Sequence, residues 1–272
     1  MGATGLFAKL ITLPAVQIIQ LRCVVAAAVL YLFIKLTGTP LALNRRSDLG
    51  WILLLGVIVA GHWIAFFASI QLATVAIGVI TGFTFPVMTV LMEPWFFREP
   101  VDRRNLALAL IVFAGVYLAI PGGAFTGRVA LGVAAGILSA FLYALRNILY
   151  RKYLASYPAS AMMFCQVLVT AIVLLPFVLP GVDLATDNRW LYLVVLGVVF
   201  TALSHTLFVD SLRVIRASTA GMLTGLEPIY GIALAALLLA EIPGIRTIAG
   251  MLIVVASVVF TSWRVGREGK ID

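Results

Sequence analysis

A chain of 272 residues that is 63% hydrophobic and only 11% charged is not a soluble enzyme of one or two domains, which would run at roughly 45–50% apolar and about 25% charged. The mean hydropathy of +1.13 makes lipid the solvent, and at about 20 residues per span the chain has room for about ten crossings. The formal charge of +8 is scattered between apolar runs, which argues against a nucleic-acid surface and leaves the bilayer as the partner.

Apolar runs bounded by charge, Pro or Gly predict helices at 1–12, 15–36, 49–70, 73–96, 104–120, 129–150, 159–180, 190–211, 217–240 and 245–264. The first is too short to cross. The longest connections are 36–48, with Asn44, Arg45 and Arg46, and 180–189, with Asp183 and Asp187. Lipid admits only helices or closed barrels, and these runs are too long and too uniformly apolar for barrel strands. The fold class is therefore an all-α polytopic membrane protein. Cys23 and Cys165 both fall inside apolar runs and read as buried thiols.

The chain repeats itself. At a constant offset of 142, Ser69–Glu99 lies on Ser211–Glu241, Pro86 falls on Pro228, and each Pro is followed thirteen residues later by a Glu, Glu99 or Glu241. Upstream, Pro14-Ala15 falls on Pro158-Ala159 at an offset of 144. The division is a first transmembrane repeat over 1–120, a second over 129–264 and a short tail over 265–272. Pro158 closes a unit whose helix starts near Arg128, whereas Pro14 has thirteen residues before it. The first helix is thus short by about 15 residues, or about 22 Å of rise. The expectation is a chain that begins inside its first transmembrane helix; a genuine half-helix packed on its neighbours is the alternative.

Five helices per repeat force the two halves to insert upside down relative to each other. With a cytoplasmic C-terminus, thirteen Lys and Arg fall on one side, among them Arg45, Arg46, Arg151, Lys152, Arg213 and Arg216. Four fall on the other: Lys9, Arg128, Arg189 and Arg246. That bias puts the richer side in the cytoplasm. Equivalent loops also exchange polarity: 72–74 is uncharged while its partner carries Arg213 and Arg216, as an inverted pair requires.

These features resemble the EamA-like family of the drug/metabolite transporter superfamily. The resemblance rests on the two five-helix repeats, on Leu21-Arg22 early in the second helix, and on the Pro-to-Glu spacing, which in the second repeat runs from Leu226-Glu227-Pro228 to Leu239-Ala240-Glu241. The fourth helix departs from it by ending Arg98-Glu99-Pro100 and by carrying an extra Glu93-Pro94. The resemblance covers the chain apart from the short start. It implies a ten-helix inverted-repeat (5+5) bundle with a central cavity, transporting small metabolites, often amino acids or related compounds and often outward, across a bacterial inner membrane. Substrate, ion coupling and oligomeric state stay open.

Inverted-repeat carriers hold substrate near the midplane beside interrupted helices. Pro86 and Pro228 are the natural interruptions; simple packing kinks are the alternative. Ionised side chains in mid-bilayer cost about 2.5–3.5 kcal/mol on insertion scales, so each needs a reason. Glu227, before Pro228, either pairs with Arg22, binds a substrate amine or carries a coupling proton. Arg22 reaches a substrate carboxylate or clamps two helices. Glu93 lies nearer the helix end, where a solvated or snorkelling role is expected, and Asp210 pairs with Arg213 one turn on. His62 and His205 are equivalents off by one position, suited to proton coupling or to a hydrogen-bonded core. Trp63, Phe66 and Phe67 share one helical face, and Phe83 and Phe85 flank Pro86; they line a cavity or face lipid. Tyr143 and Asn147, one turn apart, either line the cavity or bond between helices.

The candidate substrate residues are thus Arg22, His62, Trp63, Phe66, Phe85, Pro86, Tyr143, Asn147, Glu227 and Pro228, with Glu227 and His205 as coupling groups. No phosphate-binding Gly-Lys-Ser/Thr loop, His-Glu-x-x-His pair or Cys/His cluster is present, so no enzyme, cofactor, metal or ATP-driven step is expected. A secondary active carrier, working with protons or as an uncoupled facilitator, is the functional reading; a membrane scaffold or intramembrane enzyme is the alternative from another class.

Overall fold

The computed structural model describes residues 3–120, 127–177, 188–217, 219–220, 224 and 227–268, with side chains through residue 260. Most of the predicted loop 180–189 and part of the predicted helix 217–240 lie outside the described residues, as does the end of the 265–272 tail.

Helix boundaries follow local chemistry. A short α1 (Thr4–Leu10) precedes α2 (Ala15–Thr37), which Pro14 opens and Gly38 ends at a left-handed φ of 65°. The third predicted span is α3 (Asp48–Leu72). The fourth is two helices, α4 (Val75–Gly82) and α5 (Phe85–Phe97). Pro86 has no N–H to give, and its ring clashes with the carbonyl four residues back, that of Gly82, so the helix parts across Phe83-Thr84. The freed polar groups are partly met by the Thr84 hydroxyl, which donates to the Thr81 carbonyl at 2.7 Å. Asp102 caps α6 (Arg103–Ala119) by accepting the Arg104 N–H at 2.9 Å.

In the second half, α7 (Gly127–Leu149) runs on through a π-helical turn at Tyr150–Leu154, and α8 (Ala159–Leu174) starts after Pro158. A second π-helical stretch, Val198–Leu203, joins α9 (Arg189–Gly197) to α10 (Ser204–Ser211). Beyond them, α11 (Glu227–Leu239) begins at the residue before Pro228, and α12 (Ile245–Glu268) continues past the predicted end at 264.

Six described helical stretches, from Ala15–Thr37 to Arg189–Ser211, are long and apolar enough to cross a membrane, and the chain is a multi-pass membrane protein. Its outside is apolar, with Leu36, Leu110, Leu131, Leu207 and Leu237 exposed, while Arg22, Arg146, Asn147 and Gln166 are buried. That distribution is what hydrocarbon demands. Helices of one repeat pack on their equivalents in the other, α2 on α8 and α6 on α12, and α4 packs on α11, the equivalent of α5. Two contacts need glycine. A Cβ on Gly250 would collide with the Gly115 carbonyl across α6 and α12, and one on Gly136 would collide with Thr81 across α7 and α4. At a helix end, Arg213 meets Asp210 at 3.0 Å as expected.

Candidate functional site

A cavity of about 80 Å³ lies where the repeats meet, lined from α3 by His62, Trp63 and Phe66, from α5 by Phe85, from α7 by Tyr143, from α10 by His205 and from α11 by Glu227. Thr4, Val79, Gly82 and Phe83 complete it. It sits beside the α4–α5 break, where Gly82 and Phe83 bring backbone as well as side chains to the space.

The walls form a single aromatic assembly centred on Tyr143. The His62 ring stacks on it at 4.5 Å with 15° between planes, Phe85 meets it edge-on at 4.7 Å, and Phe208 lies at 5.7 Å on a near-parallel plane. His205 packs edge-on to both Trp63 (5.2 Å) and Tyr143 (6.3 Å). Nδ1 of His62 is 2.9 Å from both the carbonyl and the hydroxyl of Ser139, which fixes the ring. With Trp63 3% exposed and Phe67 fully buried, this face of α3 points into the bundle and not to lipid. Ser139 and Phe208 carry no signal that sequence alone would single out.

Four of the candidates lie off the cavity wall. Pro86 follows the α4–α5 break, and Pro228 lies in the first described turn of α11 beside Glu227. Asn147 is buried and accepts from Arg146 at 3.0 Å. Arg22 lies behind Trp63, its guanidinium carbon 4.1 Å from the indole centroid and 5.4 Å from that of Phe67. All three of its nitrogens are buried with no hydrogen-bond partner among the described residues. The expected alternative of an Arg22–Glu227 pair is therefore not realised.

Arg146 makes the contrast. It is equally buried, but Nε and Nη2 donate to Oε1 of Gln166 at 2.9 and 2.8 Å. At the offset of 144, Gln166 is the counterpart of Arg22 itself. One repeat thus uses this position to satisfy a cation; the other places there a cation with no hydrogen-bond partner among the described residues.

Glu93 overturns its expectation. It is 4% exposed and accepts the Ala217 N–H at 3.1 Å, so it is a buried contact between the halves and not a snorkelling charge. Among the described residues no group of three or more His, Cys, Asp or Glu could hold a metal ion.

The profile of the EamA-like transporter family matches residues 1–120 and 130–263. The chain is 26% identical to the Bacillus subtilis transporter YxxF, over 99% of this chain and 87% of that protein. It is 25% identical to the pseudopaline exporter CntI of Pseudomonas aeruginosa, over 94% of this chain and 89% of that one. A protein solved by crystallography superimposes with a TM-score of 0.72 over 98% of this chain and 94% of its own, at 16% identity; that likeness shows the fold.

Proposed function

Because the chain belongs to the EamA-like transporter family, a family of transporters and not of enzymes, we propose that it exports small amino-acid-like metabolites across a bacterial inner membrane by alternating access between its repeats. The observation that carries the reading is the cavity itself. It pairs one carboxylate, Glu227, with an aromatic cage, and an unpartnered guanidinium, Arg22, waits one ring away behind Trp63.

Glu227 suits a substrate amine and the cage an apolar body. A turn of the Trp63 indole or of the Arg22 side chain brings the guanidinium to a substrate carboxylate. A buried cation without an acceptor is costly, and a bound anion removes that cost. Pro86, Pro228 and Asn147 hold this geometry. His205 and Glu227 are the groups proposed to carry a coupling proton. The outward direction is supported by the relative named as an exporter. The excess of basic residues on the side of Arg151 and Arg213 supports a cytoplasmic C-terminus.

The test is a metabolite comparison of cells overproducing the chain with cells carrying Arg22→Met, followed by flux of the enriched compound in proteoliposomes. Enrichment outside the cells of a compound bearing both amine and carboxylate supports the reading. Enrichment of uncharged compounds, or no flux for any candidate, contradicts it.

A further inference from the structure

The same three-part contact occurs twice, once at each end of the molecule. At the end poor in basic residues, Nζ of Lys9 donates to the Ala73 carbonyl at 3.3 Å and stands 3.7 Å from the Glu241 carboxylate, which accepts the Val75 N–H at 2.9 Å. At the Arg-rich end, Nε of Arg151 donates to the Ile215 carbonyl at 3.2 Å, and its Nη1 stands 3.9 Å from Glu93, which accepts the Ala217 N–H at 3.1 Å. The offset of 142 converts Lys9 into Arg151, Ala73 into Ile215 and Val75 into Ala217. Sequence register, backbone partners and distances all agree.

In both places the base and the backbone groups belong to one repeat and the carboxylate to the other. Each contact therefore joins the halves across one face, with the cavity between the two faces. We propose that these contacts are the two gates of the carrier, each released in turn when one repeat rocks against the other, and that Lys9, Glu241, Arg151 and Glu93 are its positioning residues. The proposal rests on the alternating-access reading above.

The gates are not equal. Glu99, the register partner of Glu241, does not take the capping place; it pairs with Arg216 at 2.7 Å on the same Arg-rich face, and Glu93 takes the place instead. That face is held by two carboxylates, one of them only 5% exposed, whereas Glu241 is 26% exposed. Backbone amides offer fixed donors to a carboxylate, so each gate closes to a defined position and releases as a unit. The face near Lys9 is the one that opens more readily.

The experiment uses the full chain with Cys23→Ala and Cys165→Ala and a reporter, Val79→Cys, on the cavity wall. A membrane-impermeant maleimide is applied to right-side-out and to inverted vesicles. Glu241→Gln, which keeps an acceptor for the Val75 N–H but removes the charge that faces Lys9 and strengthens that hydrogen bond, is expected to raise labelling several-fold from the Lys9 face only. Glu93→Gln is expected to do so from the Arg151 face only. The exchange Lys9→Glu with Glu241→Lys restores the ion pair but loses the carboxylate cap, and should fall between wild type and Glu241→Lys alone; a misfolded variant would label equally from both sides. Both single variants raising labelling from the same face, or neither changing it, would overturn the proposal. The readout needs no substrate: flux with unchanged labelling sinks the gates alone, and side-specific labelling without flux sinks the substrate reading alone.

Discussion

The guanidinium carbon of Arg22 lies over the indole of Trp63, 4.1 Å from its centroid, and it is the ring, not a hydrogen-bond acceptor among the described residues, that faces the charge. A desolvated cation–π contact contributes about 2 kcal/mol, less than burying an unpaired charge costs. The position therefore costs the fold stability, and in the function proposed above a bound anion offsets that cost.

Replacing Arg22 by Met, which keeps the bulk, should leave thermal stability in detergent unchanged or raise it by about 1–4 kcal/mol, while flux falls at least tenfold. Arg22→Lys should recover part of the flux. A clear loss of melting temperature in Arg22→Met would mark Arg22 as a helix clamp instead.

Arg146 should behave in the opposite way. Its hydrogen bonds to Gln166 satisfy it, so Gln166→Leu leaves a buried cation without its main acceptor. The expected loss is about 3 kcal/mol, read as a lowered melting temperature in detergent. Gln166→Glu, which keeps an acceptor at that place, should cost much less.

The contrast also shows what the sequence makes legible. The repeat was visible because Pro86 and Pro228, Glu99 and Glu241 sit in register, and part of the aromatic cluster because Trp63, Phe66 and Phe67 share one helical face, whereas nothing in the spacing tells that Tyr143, on another helix, packs against them. The helix parts before Pro86 and not at it, since a proline disturbs the turn behind itself. Glu93 was misjudged because its partners include the backbone N–H of Ala217, and a backbone amide has no letter in the sequence. The π-helical turn before His205 was invisible for the same reason: it is a matter of hydrogen-bond register, not of composition.

Close helix approach gives a packing test. Gly250→Val puts a branched side chain against the Gly115 backbone, and overpacking of this kind costs about 1–3 kcal/mol or more. The variant should lose folded yield and melt lower, whereas Gly50→Ala, with open space around its Cβ position, should not. Equal behaviour of the two would contradict the α6–α12 packing described.

Ser139 holds His62 at 2.9 Å. Ser139→Ala removes the hydroxyl but leaves the carbonyl contact, so stability should drop by no more than about 1 kcal/mol. The concentration for half-maximal flux should rise several-fold as the His62–Tyr143 stack loosens. A strongly unfolded variant would assign Ser139 to the core and not to the site.

In the function proposed above, the Glu227 cavity binds the substrate and carries the proton that drives it. This is tested most directly in proteoliposomes holding wild type or Glu227→Gln, comparing accumulation under a pH gradient with exchange at equal pH. Wild type should accumulate substrate under the gradient, and Glu227→Gln should keep exchange, with weaker binding, while losing accumulation. Accumulation by Glu227→Gln equal to that of wild type would contradict it.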